Sequence, residues 1–154
     1  MRQTTSALVG IMVSVLWLGT GAAAAAPPSA PGVPVKVFRT ATCGCCQKWV
    51  EHMAAAGFAP EVEVLPTLDA VKDESKIPGD LRSCHTALVG GYVVEGHVPA
   101  DVVHRLLKEK PKVAGISVPG MPIGSPGMEQ GDRKDPYDIV AFTRDGKTRV
   151  YEKR

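Results

Sequence analysis

Three of the chain's four cysteines occupy four consecutive positions, Cys43-Gly44-Cys45-Cys46, where one sequence rhythm gives way to another. Before them, Val33, Val35 and Val37 alternate with Pro34 and Lys36, the period-two pattern of a strand over Val33–Arg39. After them, Cys46, Trp49, Val50 and Met53 recur at helical spacing, which predicts a helix from Cys45 to Ala56 stopped by Gly57. A turn over Thr40–Gly44 joins the two. Any fold of this chain must therefore let a strand deliver closely spaced thiols to the first turn of a helix.

The remaining pattern supplies the partners of that unit. Val62–Leu65 reads as a second short strand, and Thr67–Ser75 as a short helix capped by Thr67 with Leu68 and Val71 inward. Ile77-Pro78-Gly79-Asp80 turns the chain toward Ser83-Cys84-His85. Thr86–Val89 and Tyr92–Glu95 flank Gly90-Gly91, a two-residue hairpin signal. Pro99 opens another helix, with Asp101 in its first turn, Lys108 and Lys110 in its last, and Val102, Val103, Leu106 and Leu107 as its apolar stripe. Residues 114–131 form a long loop rich in Gly and Pro, and Asp138–Phe142 with Lys147–Tyr151 a final hairpin turned at Asp145-Gly146. The order β-α-β-α-β-β-α, with a cysteine pair at the first strand-to-helix junction, is that of the thioredoxin core. The expected class is α/β: a thioredoxin-like mixed β-sheet flanked by helices, in a single domain over residues 33–154.

The first 25 residues read as a Sec-type signal peptide. Arg2 precedes an apolar run over Ala7–Leu18, then Gly19-Thr20-Gly21 and five alanines suited to cleavage just before Ala26. Neither a twin arginine nor a cysteine accompanies the run, so Tat export and lipidation are not indicated. Residues 26–32, rich in Pro, form a short linker. Removal of the signal lowers the basic count from 18 to 17 and leaves the 16 acids, so the exported protein is nearly neutral. The interspersed charges contain no basic run, which excludes a nucleic-acid binder, and no stable membrane insertion is expected after cleavage.

Cys43, Cys45, Cys46 and Cys84 admit three functions. An exported domain can use cysteines as disulfide staples, but three within four positions are poorly spread for a framework, since one pairing joins adjacent Cys45 and Cys46. A C-x-x-C pair from Cys43 to Cys46 before a helix suits thiol–disulfide exchange, because the helix N-terminus lowers a thiol's pKa; that leaves Cys45 and Cys84 without a task. Soft thiolates also hold Cu(I), Zn or iron–sulfur clusters. Successive Cys45 and Cys46 point about 100° apart around a helix, which suits sulfurs bridging several Cu(I) ions better than four sulfurs around one Zn(II).

Other candidates surround these. His85 adjoins Cys84, as a ligand or as a neighbour supporting one. His52 lies about 10 Å up the helix from Cys45, where a capping or hydrogen-bonding role is expected. His97 reads as a loop histidine and His104 as a solvated one; Trp49 and Met53 read as core. Loops longer than about 12–15 residues tend to be functional, and residues 114–131 carry Met121 and Met128, whose thioethers suit Cu(I). A passive surface connection is the alternative for that loop.

Four segments together resemble a known family. Thr42-Cys43-Gly44-Cys45-Cys46-x-x-Trp49-x-x-His52-Met53, Ser83-Cys84-His85-Thr86-Ala87, Gly91-Tyr92-x-x-Glu95-Gly96-His97-Val98-Pro99-Ala100 and Val118-Pro119-Gly120-Met121-Pro122-x-Gly124-Ser125-Pro126-Gly127-Met128-Glu129 are similar to CopG-type copper-resistance proteins, over Val33 to Phe142. The resemblance implies a periplasmic thioredoxin-like protein binding copper through Cys43, Cys45, Cys46 and Cys84 as a multinuclear Cu(I) cluster, with redox activity at the metal as a further possibility. It implies copper ions as partners, alongside other periplasmic copper-handling proteins. Ala41 stands where the family favours proline, a change that touches no ligand. The expectation is thus a metal-binding protein of copper tolerance rather than an enzyme, with sequestration, transfer and redox conversion all open. A thiol–disulfide oxidoreductase using Cys43 and Cys46 and a disulfide-stapled interaction domain are the alternatives.

Overall fold

The computed structural model describes residues 32–154; the expected signal peptide over residues 1–25 and the expected linker up to Pro31 lie outside the described residues. A seven-stranded mixed sheet has the order β2-β1-β3-β4-β5-β6-β7. Its strands are β1 (Val33–Arg39), β2 (Phe58–Val64), β3 (His85–Val89), β4 (Tyr92–Glu95), β5 (Gly115–Ser117), β6 (Asp138–Phe142) and β7 (Thr148–Lys153). Among the described residues three α-helices accompany the sheet: α1 (Gly44–Ala55), α2 (Asp69–Glu74) and α3 (Ala100–Glu109). β1 runs parallel to β2 and antiparallel to β3, and β3 forms the Gly90-Gly91 hairpin with β4. The first four strands and their helices thus follow the thioredoxin order that the sequence predicts.

Alternation along the strands creates two apolar faces. On one, Val35, Val37, Ala87, Val94, Ile116 and Ala141 pack with Trp49 and Met53 of α1 and Val102, Val103 and Leu106 of α3. On the other, Val93 and Phe142 pack with Ile77 and Leu81, from the segment that follows α2. Each large side chain so buried contributes about 1.5–3 kcal/mol. Trp49 also donates its indole N–H to the Val98 carbonyl at 2.9 Å, which ties α1 to the approach to α3.

Four expectations change at the level of elements. β2 begins at Phe58 rather than Val62, because it is the outermost strand, where Pro60 needs no ladder partner on its open side. The long loop opens with β5, whose three residues are all buried and too few to show alternation. Through β5, the terminal hairpin joins the same sheet, and β7 runs to Lys153 rather than Tyr151. In α2, Leu68 rather than Thr67 takes the cap position, no side chain caps it, and Lys72 joins Leu68 as a buried residue. Lys72 is held inside by an ion pair with the fully buried Glu95 of β4.

Candidate metal centre

The turn after β1 brings Cys43 to the N-terminal end of α1, which has no side-chain cap and no acidic residue in its first turn. Neither a capping side chain nor an acid therefore competes with the cysteines for the positive end of the helix. Cys84 comes from the approach to β3, and the pairing of Arg39 with His85 sets it beside the exit of β1. One ligand atom from each of Cys43, Cys45, Cys46 and Cys84 lies within 4.8 Å of the others. The chain thereby gathers all four sulfurs, although Cys84 is 38 positions beyond Cys46.

Cys43 and Cys46 are joined as a disulfide across a Cα–Cα distance of 5.4 Å, while Cys45 and Cys84 are free thiols. Cys45 Sγ lies 3.5 Å from Cys43 Sγ. A framework using all four cysteines does not form, since two of the four remain unpaired. Cys46 is fully buried and Cys43, Cys45 and Cys84 half-buried. Burial and the neighbouring Cys45 push the Cys84 thiol up to about 12, so a cation held by this sulfur would have to displace its proton.

A second group of donors shares Cys84. Its Sγ, with one ring nitrogen each from His85 and His97, forms a set within 4.8 Å. His97 Nε2 lies 3.0 Å from Cys84 Sγ, and its Nδ1 lies 2.8 Å from the Pro126 carbonyl. A carbonyl only accepts, so Nδ1 carries the hydrogen in the neutral ring and Nε2 turns its lone pair toward the sulfur. His85 Nδ1 lies 3.4 Å from the same sulfur. The His85 ring is fully buried, 4.4 Å from the Trp49 ring and 5.0 Å from that of His97, and its Nε2 has no hydrogen-bond partner among the described residues. Burial, reinforced by His97 and Lys72, holds His85 well below 6.5; burial also lowers His97.

His97 lies in the loop after β4, as the sequence reading has it, but it is fully buried against Cys84, a placement that reading did not foresee. The signal was present in the hairpin: extending the β3–β4 register two positions past Thr86↔Glu95 sets Cys84 opposite His97. The two methionines separate. Met128 lines a groove with Gly44, Cys45, Lys48 and Gly127, whereas Met121, 51% exposed, lines another with Pro119, Pro122 and Tyr137. His52 serves as the expected cap: its Nε2 accepts the Ala100 N–H at 3.1 Å, at the start of α3, and burial lowers its pKa. His104 is exposed but not merely solvated, since its ring stacks on Phe58 and its Nε2 donates to the Ala56 carbonyl.

Gly127 locks the long loop onto this centre. It has φ +88, and a Cβ there would lie 2.7 Å from the Cys45 carbonyl oxygen and 3.0 Å from the Trp49 nitrogen. Only a residue without a side chain lets the loop approach α1 closely enough for Pro126 to reach His97.

Fold and site together define a class: an α/β domain of thioredoxin strand order with a cysteine cluster, suited to a soft metal, at the first helix terminus. Two solved structures, both described as copper resistance protein CopG (form 1 and form 2), match the chain with TM-scores of 0.76 and 43% identity, each covering 80% of this chain and 98% of its own. The chain belongs to the CopG family of copper resistance proteins. Residues 81–128 also match a family model described as a protein of unknown function, DUF411. No curated protein sequence matches. Among the described residues, no helix is long and apolar enough to cross a membrane.

Proposed function

We propose that this protein serves copper resistance in the periplasm by holding Cu(I) in a thiolate-bridged, multinuclear site made by Cys43, Cys45, Cys46 and Cys84. The supporting observation is the convergence of all four sulfurs within 4.8 Å. With the Cys43–Cys46 pair in its dithiol form, all four are available. Adjacent Cys45 and Cys46 diverge around the helix, so bridging between ions uses them better than tetrahedral closure on one. His97 Nε2 extends the donor set on Cys84, with its ring fixed by the Pro126 carbonyl in the way supporting groups fix metal-bound imidazoles. His85 backs the same sulfur, and Met128 supplies a thioether at the groove beside Cys45. Copper held here is available for sequestration, for transfer to other periplasmic copper-handling proteins, or for redox conversion.

The test is titration of fully reduced protein with Cu(I) under anaerobic conditions, followed by metal and free-thiol counts. Saturation above one copper per chain is expected; clean saturation at one overturns the multinuclear site. Fractionation of cells making the full chain checks the periplasmic assignment through the mass of the processed N-terminus. The Cys43–Cys46 disulfide supports a second reading, a thiol–disulfide oxidoreductase. That reading predicts protein that takes up no copper and cycles one disulfide with a thiol substrate.

A further inference from the structure

Behind Cys84, on the sheet face opposite Trp49, lies a closed polar network that the metal centre does not use. Glu95 is fully buried at the end of β4, and Lys72 of α2 is 5% exposed. Glu95 Oε1 accepts from Lys72 Nζ and, at 2.6 Å, from the backbone N–H of Ser83. Its Oε2 accepts from the Thr86 hydroxyl at 2.7 Å, and Thr86 in turn accepts from Lys72 Nζ at 3.1 Å. Ser83 immediately precedes Cys84, and its hydroxyl donates to the Gly120 carbonyl at 2.7 Å.

A buried ion pair is a poor means of stabilising a fold. Desolvating both charges offsets their attraction, and apolar residues of similar volume usually hold a core at least as well. What an apolar pair cannot do is accept a hydrogen bond. Ser83 lies outside the strands, so its N–H has no ladder partner, and Glu95 takes that place. The next residue, Gly96, has φ +71, and a Cβ there would lie 2.6 Å from Ser83 Oγ. The segment carrying Cys84 is therefore gripped by a carboxylate at one atom and by close backbone packing beside it.

We propose that Glu95, neutralised by Lys72 and aligned by Thr86, is a positioning residue for Cys84, fixing that sulfur against the three sulfurs at the start of α1 through the Ser83 amide. The assignment deepens the copper reading above and rests on it for its consequence, though not for its geometry. Glu95 touches no sulfur; it acts only through the backbone.

Two charge-neutral double variants separate positioning from simple core filling. Lys72→Met with Glu95→Gln keeps a side-chain oxygen for the Ser83 N–H; Lys72→Met with Glu95→Leu removes it. Cu(I) affinity, read by chelator competition, should stay near wild type in the Gln form and fall about tenfold or more in the Leu form, as for other residues that support metal ligands. In metal-free, fully reduced protein, alkylation of Cys84 followed by mass spectrometry should accelerate in the Leu form and be rescued in the Gln form. Equal behaviour of the two variants in both assays overturns the proposal. Absence of copper binding by the wild type would refute the copper reading, and the alkylation comparison would still decide this one. Should the Leu form fail to fold, hydrogen exchange of wild-type Ser83 decides: protection comparable to β3 amides supports the grip by Glu95, and exchange at loop rates overturns it.

Discussion

His97 Nε2 lies 3.0 Å from Cys84 Sγ, with the opposite ring nitrogen on the Pro126 carbonyl. A residue just past the hairpin and a residue of the long loop thus set one imidazole against the cysteine most remote in sequence from the other three. Replacing His97 by Gln keeps a polar group in that space but removes the aromatic nitrogen donor. Cu(I) affinity of H97Q should fall by about tenfold or more, while H104Q, which alters an exposed histidine on α3 that stacks on Phe58, should bind as wild type. Chelator competition on both variants checks this.

Cys84 and Cys45 should count equally toward loading. All four sulfurs lie within the same 4.8 Å, so Cys84→Ser and Cys45→Ser each remove one corner of a shared site. Copper per chain, measured on anaerobically loaded protein, should drop to a similar extent in both. Unchanged loading of the Cys84 variant would mean that the CGCC segment binds alone.

The methionines should behave differently from one another. Met128 shares a groove with Cys45, whereas Met121 does not. Leu at either position preserves apolar volume, so thermal stability of the metal-free protein should barely move. Copper affinity or redox potential should shift in Met128→Leu and stay constant in Met121→Leu. A thioether carries no proton at these pH values, so the Met128 effect should persist from mildly acidic to neutral pH.

Metal-free protein should lose stability as pH falls below about 6.5. His85 and His97 are held neutral in the folded chain, with values lowered from 6.5 by burial. Between the folded and unfolded values the unfolded chain binds protons that the folded chain refuses, so unfolding free energy rises with pH. The contribution is therefore complete above the unfolded value and is lost as pH drops through it toward the folded one. Urea midpoints measured from pH 7.5 down to pH 5 should show the decline, and His85→Phe, which keeps a ring against Trp49, should make it shallower while His97 and His52 retain their share.

Gly127→Ala should be far more damaging than Gly131→Ala. Both glycines have positive φ, but a Cβ at Gly131 meets nothing within 4 Å, whereas one at Gly127 meets the Cys45 carbonyl at 2.7 Å. The conformation alone costs about 1–2 kcal/mol at either position. At Gly127 the collision with α1 adds to it, and the loop must retreat from His97. Urea midpoints give the stability difference, and copper affinity should fall in Gly127→Ala only.

The portions of this molecule governed by local rules were legible. Alternating valines gave β1 at its observed ends, Gly90-Gly91 gave the β3–β4 hairpin, and the spacing of Cys46, Trp49 and Met53 gave the inner face of α1. The convergence of Cys84 with the CGCC segment came from resemblance, since no local pattern joins residues 38 apart. β5 escaped notice because three residues carry no period, and its place between β4 and β6 depends on pairing alone. His97 was read as a loop residue, which it is, but its place beside Cys84 was missed although the hairpin register could have found it. Lys72 was missed for another reason: a lysine on a short helix reads as solvated, and only a tertiary partner such as Glu95 takes it inside.

β1 begins at Val33 and ends at Arg39, four residues before Cys43. Its seven residues span about 20 Å, so Val33 and the gathered sulfurs lie toward opposite ends of the first strand. An attachment made through Val33 would therefore hold the molecule by the end of β1 away from the cysteines, leaving Cys45 and the Met128 groove unobstructed.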